Sequence, residues 1–175
     1  MENPAFTQEI VTPARLEKIR LILSTYQDGS GQLARPQGKT LPGWRDFERA
    51  VALAFQGVAQ ESKAIFDVLV PLASAPDAQY GISCKMRKLL RDVQRTGHVT
   101  IEVSNSSGKF WDALLGEGLD AFETAPARAG DILLRLVEQW HNAVSITQGG
   151  IVDTQKSFYL VLQWDEKTLT YRLFQ

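Results

Sequence analysis

The stretches 63-KAIFDVLVPL-72 and 79-QYGISCKM-86 follow each other closely in the sequence, and together they indicate the fold. Both are rich in β-branched and aromatic residues, and 73-ASAPDA-78 between them is typical of a turn. We therefore predict two adjacent strands joined as a hairpin. Asp67 lies in the middle of the apolar run of the first strand, and Lys85 lies near the end of the second. Because an unpaired charge is costly to bury, these charges require a partner, a metal ion or a solvent-filled cleft.

Helical and strand-like segments surround this hairpin. Apolar residues at helical spacing predict helices at 13–27, 44–57, 86–97, 108–123 and 127–144. Alternating apolar residues predict further strands at 98–105, 157–164 and 168–174. The segment 28–43 is rich in glycine and proline, and we predict a long loop there. This order of elements predicts a single α/β (α+β) domain with a central mixed β-sheet flanked by helices.

The composition excludes several classes of protein. The 175 residues carry a net charge of −1 and contain no apolar run of about 20 residues, the length of a membrane span. The N-terminus lacks the form of a signal peptide, so we expect a cytoplasmic protein that does not bind or span a membrane. The chain has one cysteine, Cys84, and two histidines, which excludes an intrachain disulfide and a structural zinc cluster. A metal ion in this protein would therefore need oxygen ligands.

The charges of the two central strands suit the chemistry of phosphate esters. A carboxylate such as Asp67 can ligate magnesium, and a lysine beside it can stabilise charge on a phosphate and help to orient or deprotonate an attacking water. Glu48 lies near the apolar side of the predicted helix 44–57, shortly before the strand of Asp67. Cys84 alternates away from Ser83 and Lys85, so its side chain is predicted to be an inert part of the core.

The series Glu48, Asp67 and 83-SCK-85 resembles the PD-(D/E)XK nuclease superfamily, and within it the type II restriction endonucleases. In that family, an acid from an early helix, a strand Asp and a D/E-x-K tripeptide on the next strand surround one or two magnesium ions. The resemblance covers roughly Glu48 to Asn105, about a third of the chain. It implies a restriction-endonuclease-like fold, with Asp67, Lys85 and Glu48 as catalytic residues. It also implies magnesium ligands from Asp67, Glu48 and the backbone carbonyl of Cys84.

Ser83 departs from the family, which usually has Asp or Glu at this position. Three acids are candidates to replace it. We rank Glu48 first, Glu102 of the predicted strand 98–105 second, and Asp92, seven residues after Lys85, third. Glu102 is a catalytic candidate because it alternates onto one face of a strand that is expected to neighbour the other two.

Candidate DNA contacts lie in three segments. Lys88, Arg91 and Arg95 share one side of the predicted basic helix, which is either a solvated face or a phosphate-binding stripe. The tract 104-SNSSGK-109 either binds phosphate at a helix N-terminus or only caps the helix. The loop 28–43 either folds over DNA or is a simple connection. The complete set of candidates is Arg87, Lys88, Arg91, Arg95, Ser104, Asn105, Ser106, Lys109, Arg35 and Lys39.

The resemblance implies a magnesium-dependent endonuclease that cuts double-stranded DNA, acting as a homodimer on a symmetric target. Three alternatives remain open. A repair or structure-specific nuclease would share the site but act as a monomer. A DNA-binding module with a decayed site is suggested by Ser83. A protein-interaction domain without a nucleic-acid role is favoured by the nearly neutral net charge.

Overall fold

The structure is a computed structural model, and it describes residues 11–25, 42–60, 65–101, 107–165, 167–168 and 170–175. Its helices are α1 (Pro13–Ser24), α2 (Trp44–Phe55), α3 (Leu90–Thr96), α4 (Ser107–Gly116) and α5 (Pro126–Val144). Its strands are β1 (Val58–Ala59), β2 (Val68–Leu72), β3 (Ala75–Arg87), β4 (Phe158–Asp165) and β5 (Thr170–Phe174). Short 3-10 turns at Phe122–Thr124 and Ile146–Gln148 flank α5.

The five strands form one mixed sheet in the order β1-β2-β3-β4-β5. β3 runs antiparallel to β2 and parallel to β4, whereas β1 and β5 pair antiparallel at the two edges. Parallel neighbours cannot be joined by a tight hairpin, so the chain must cross over between β3 and β4. Helices α3, α4 and α5 lie in this crossover.

Helices α1 and α2 cover one face of the sheet. The carboxylate of Asp46 accepts the Gly43 N–H at 2.8 Å where α2 begins, and Gln56 ends the helix with a left-handed φ of 57°. The main core between α1, α2 and the sheet includes Phe47, Val51, Phe55, Val68, Val70, Ile82, Cys84, Phe158, Leu160 and Leu162. Side chains alternate along a strand, so the odd-numbered residues at the C-terminal end of β3 and along β4 point to the other face.

The other face of the sheet is partly covered by Phe66 and α5. A Cβ added to Gly81 would lie 2.1 Å from the Phe66 ring, so this ring packs directly on the glycine. The Phe66 ring also stacks on His141 of α5, with ring centroids 5.3 Å apart. Helix α5 packs in turn against α4 around a second, smaller core of Leu114, Leu119, Ala129 and Ile132.

The predicted central mixed sheet with flanking helices is confirmed. Several boundaries differ. The strand predicted at 63–72 begins at Val68, and the helix predicted at 86–97 begins at Leu90 because Met86 and Arg87 pair with β4. The helix predicted at 108–123 ends at Gly116, and the one predicted at 13–27 ends at Ser24.

The strand predicted at 98–105 is wrong over 98–101, which adopt no regular secondary structure. The alternation of Val99 and Ile101 is not enough to form a strand. A strand must also hydrogen-bond to a neighbouring strand, and β3 already has neighbours on both sides. Residues 102–105 of that prediction, and 28–41 of the predicted long loop, lie outside the described residues. Across the described ranges, no helix combines the length and apolar character that a membrane crossing requires.

Candidate active site

Asp67 lies where the pairing of β2 with β3 ends. The last regular pair is Val68 with Ile82, and the Asp67 N–H donates to the Ile82 carbonyl at 3.1 Å. One carboxylate oxygen of Asp67, Oδ2, accepts the backbone N–H of Cys84 at 2.7 Å and the hydroxyl of Ser83 at 3.3 Å. The Asp67 carboxylate therefore takes the place of the backbone carbonyl that would accept the Cys84 N–H if the β2–β3 pairing continued.

Lys85 approaches the same carboxylate from the next position on its face of β3. Its Nζ lies 3.7 Å from Asp67 Oδ2, and the side chains of Lys85 and Asp67 are 24% and 21% exposed. Strand alternation directs Cys84 the opposite way, into the main core, as predicted. Burial, together with the negative charges of Asp67 and Glu48, raises the pKa of the Cys84 thiol well above its usual value. The thiol is thus kept protonated and is a poor nucleophile.

Glu48 brings a second carboxylate to this site from α2. It is 9% exposed, and burial followed by the charge of Asp67 raises its pKa from 4.5 to about 7. The positive charge of Lys85 acts in the opposite direction on the same pKa. Glu48 therefore lies near enough to Asp67 and Lys85 for both of their charges to affect its pKa. The structure therefore brings together the three residues that the sequence analysis joined.

The donors of this site suit a hard cation. Within the described part of the chain, Asp67 Oδ1 accepts no hydrogen bond, and neither does the carboxylate of Glu48. The N–H and C=O of a strand residue point to the same side, so the Cys84 carbonyl is directed toward the side from which Asp67 approaches. These atoms give two carboxylates and a carbonyl, an all-oxygen set of the kind that magnesium prefers. No group of three His, Cys, Asp or Glu side chains suited to a metal occurs among the described residues.

The other acids predicted for the site have different positions. Asp92 lies on α3, where its Oδ1 is 3.2 Å from the guanidinium of Arg95, and it is exposed. Glu102 lies outside the described residues, so its role stays a prediction. Of the two described acids, Glu48 and Asp92, Glu48 is the one whose pKa is affected by the charge of Asp67.

The predicted DNA contacts form no continuous helical stripe. Arg87 lies in β3, and Lys88 precedes α3 with its Nζ 5.7 Å from the centre of the Trp164 ring. On α3, Arg91 forms an ion pair with Asp165 of β4 and Arg95 pairs with Asp92. Lys109 is exposed near the start of α4. Arg35, Lys39, Ser104, Asn105 and Ser106 lie outside the described residues.

One residue of this region was missed by the sequence analysis. Tyr159 of β4 pairs with Ser83 in the register of the parallel strands. Its pKa is raised by burial and then by the charge of Asp67. The alternation of 157-SFYLVLQW-164 assigns Tyr159 to one face of its strand, but nothing local in the sequence indicates that this strand neighbours β3.

Comparison of the chain with protein-family models, with curated proteins and with solved structures gives no match.

Proposed function

We propose that this protein is a magnesium-dependent endonuclease that hydrolyses phosphodiester bonds of double-stranded DNA. The observation that carries the proposal is the placement of Lys85 Nζ 3.7 Å from the carboxylate of Asp67, which ends the β2–β3 pairing. Both charges also affect the pKa of Glu48. Carboxylates near a partly exposed lysine suit a reaction in which water attacks a phosphorus atom. The resemblance to the PD-(D/E)XK superfamily leads to the same reaction.

The two carboxylates have a clear task in this proposal. Asp67 Oδ1, a carboxylate oxygen of Glu48 and the Cys84 carbonyl would hold magnesium. Magnesium held there supplies positive charge against the negative charge that develops on the phosphate. The pKa of Glu48 is raised by burial and then by the charge of Asp67, and a cation held between the two carboxylates would offset both effects, which supports this assignment.

Lys85 acts on the substrate directly. Its ammonium group is partly exposed, so a phosphate oxygen can approach it from solvent while Asp67 holds it from the protein side. In the reaction, water adds to phosphorus, one P–O bond to a sugar breaks, and the leaving sugar oxygen takes up a proton. Lys85 stabilises the charge on the phosphate oxygens in this step, and Asp67 keeps the ammonium group in place.

The first experiment incubates supercoiled plasmid with the protein and Mg²⁺, with EDTA as the control. We expect nicked and linear DNA only with Mg²⁺. Lys85→Met should slow cleavage at least about 100-fold, the scale of losing one electrostatic group at a developing charge. Asp77→Asn changes an exposed residue of β3 near the hairpin turn and should cleave like the wild type. Equal rates for Lys85→Met and wild type would contradict the proposal.

The same variants separate catalysis from stability. A partly exposed ion pair contributes about 1 kcal/mol or less, so Lys85→Met should change the free energy of unfolding by no more than this. A loss of several kcal/mol in urea unfolding would mark Lys85 as a structural residue instead.

A DNA-binding module without catalysis is the second candidate. Ser83 favours it, since its hydroxyl donates to Asp67 at a position where the family usually has a ligand acid. Such a module would bind a DNA duplex in fluorescence anisotropy but leave the plasmid intact with Mg²⁺. The homodimer, which also stays a prediction, is tested by light scattering with and without DNA.

A further inference from the structure

Tyr159 lies in a row of side chains that crosses the sheet at the candidate site. Tyr159 of β4 pairs with Ser83 of β3, and the Ser83 hydroxyl donates to Asp67 at 3.3 Å. Strand alternation places Tyr159 on the face opposite the main core, which takes its neighbours Phe158 and Leu160. The row therefore runs from Asp67, just before β2, through Ser83 of β3 to Tyr159 of β4.

Ser83 is the smallest member of this row, and it is 4% exposed. Adjacent strands are about 4.8 Å apart, so the backbones of Asp67 and Tyr159 are separated by roughly 10 Å. A tyrosine side chain is long enough to extend over a serine in this interval. The effect of the Asp67 charge on the pKa of Tyr159 agrees with such an approach. A tyrosine phenol is neutral at physiological pH, so its O–H is available as a donor.

The neighbours of Tyr159 on its face of β4 are unsuited to contact a phosphate. Val161 is apolar and buried, and the Gln163 side chain is fully buried. Of Tyr159, Val161 and Gln163, Tyr159 is the one that is partly exposed, so it can present a polar group of this face of β4 to a ligand. A phosphodiester anion only accepts hydrogen bonds, and the two carboxylates repel it. Lys85 supplies one donor, and the neighbouring strand β4 can supply another.

We propose that the Tyr159 hydroxyl donates a hydrogen bond to a non-bridging oxygen of the phosphodiester bound beside Lys85. This assignment rests on the proposed function and adds a substrate-contacting residue to it. Lys85 of β3 and Tyr159 of β4 then hold two oxygens of one phosphate from adjacent strands. The small Ser83 provides the space over which the phenol reaches the site.

Tyr159→Phe removes the hydroxyl and keeps the ring. We expect a single-turnover cleavage rate about 100-fold below the wild type, as for the loss of one donor to a developing negative charge. Tyr171→Phe is the matched control. Tyr171 lies in β5 against the main core, its pKa is raised to about 12 by burial, and its buried hydroxyl has no hydrogen-bond partner among the described residues. Its removal should leave the cleavage rate unchanged.

A second measurement does not depend on cleavage. Inorganic phosphate is titrated into wild type, Tyr159→Phe and Tyr171→Phe by calorimetry, at a pH where all three are folded. We expect about tenfold weaker phosphate binding for Tyr159→Phe alone, the scale of one lost hydrogen bond to a charged group. Equal thermal unfolding of the three proteins would show that the loss is not a packing effect.

The outcomes separate the two proposals. If the wild type cleaves and Tyr159→Phe cleaves equally well, the role of Tyr159 is overturned while the nuclease proposal stands. If the wild type does not cleave, the nuclease proposal is overturned. The phosphate titration then decides the role of Tyr159, which is also overturned if Tyr159→Phe binds phosphate like the wild type.

Discussion

The backbone N–H of Cys84 donates to Asp67 Oδ2 at 2.7 Å, one residue beyond Ser83 and two beyond the last regular β2–β3 pair. A buried N–H of a strand normally finds a backbone carbonyl on the neighbouring strand. Here a carboxylate replaces that carbonyl, and the same oxygen lies near Lys85 Nζ. The end of the pairing and the candidate site therefore depend on one side chain.

Asp67→Asn and Asp67→Ala should differ in stability but agree in activity. Asparagine keeps an acceptor for the Cys84 N–H, whereas alanine leaves this donor unpaired at a buried residue, which costs about 1–3 kcal/mol. Both variants lack the charge, so both should slow plasmid cleavage at least about 100-fold. Urea unfolding measures the difference in stability, and plasmid nicking measures the loss of activity in both variants. Equal free energies of unfolding for the two variants would show that the hydrogen bond contributes little.

Gly81→Ala should disturb the site through Phe66. An added Cβ would come 2.1 Å from the Phe66 ring, and Phe66 immediately precedes Asp67 in the chain. Overpacking of this kind costs about 1–3 kcal/mol, and the displaced ring should carry Asp67 with it and slow cleavage. Gly130→Ala is the control, because Gly130 lies within α5 with nothing inside 4 Å of an added Cβ. It should be as stable as the wild type or up to about 1 kcal/mol more stable.

The approach of Asp67 to Lys85 could be predicted from the sequence because it depends on residues that are close together in the chain. Asp67 and Lys85 interrupt two strands joined by a hairpin, so their approach follows from short-range pairing. Contacts with residues of β4 cannot be predicted in this way. Arg91 and its partner Asp165 are 74 residues apart, and the parallel register of β3 with β4 leaves no local signal in the sequence. Tyr159 was missed for the same reason. The start of α3 was placed too early because the apolar residues of 86–97 fit a helix as well as the end of β3.

Asp165→Asn should strengthen DNA binding if α3 faces DNA. In the free protein, Arg91 is paired with Asp165, whose side chain is 10% exposed, while that of Arg91 is 58% exposed. Removal of the carboxylate charge frees Arg91 for a phosphate, and we expect roughly 3- to 10-fold tighter binding of a duplex at low salt. Arg91→Ala should weaken binding and lower the salt dependence by about one phosphate contact. Fluorescence anisotropy at several salt concentrations measures both effects.

Glu17→Gln provides the control for net charge. It removes one negative charge and frees Arg20, its partner on α1 at 2.6 Å. If Glu17→Gln tightens DNA binding as much as Asp165→Asn does, the effect comes from total charge and α3 is not a DNA-binding face.

Glu48 should make stability and magnesium binding depend on pH in opposite ways. Its pKa in the folded protein is about 7, above the ordinary value of 4.5. Between these two values, the folded protein keeps a proton that the unfolded chain has released. The free energy of unfolding should therefore fall as pH rises from 4.5 to 7 and change little from this source above 7. Glu48→Gln should remove this decline, whereas Glu123→Gln, at an exposed carboxylate, should leave it in place.

Magnesium needs the ionised carboxylate, so its affinity should rise over the same pH interval in which the apoprotein loses stability. Mg²⁺ should accordingly raise the melting temperature of the wild type more at pH 8 than at pH 6, and should raise that of Glu48→Gln little at either pH. Cleavage by Glu48→Gln should fall together with metal binding, because the charge of Asp67 affects the pKa of Glu48. As ranked from the sequence, Glu102→Gln should change both less. The reverse order, with Glu102→Gln the more damaging, would mean that the segment after α3 supplies the second carboxylate and that the ranking of Glu48 before Glu102 is wrong.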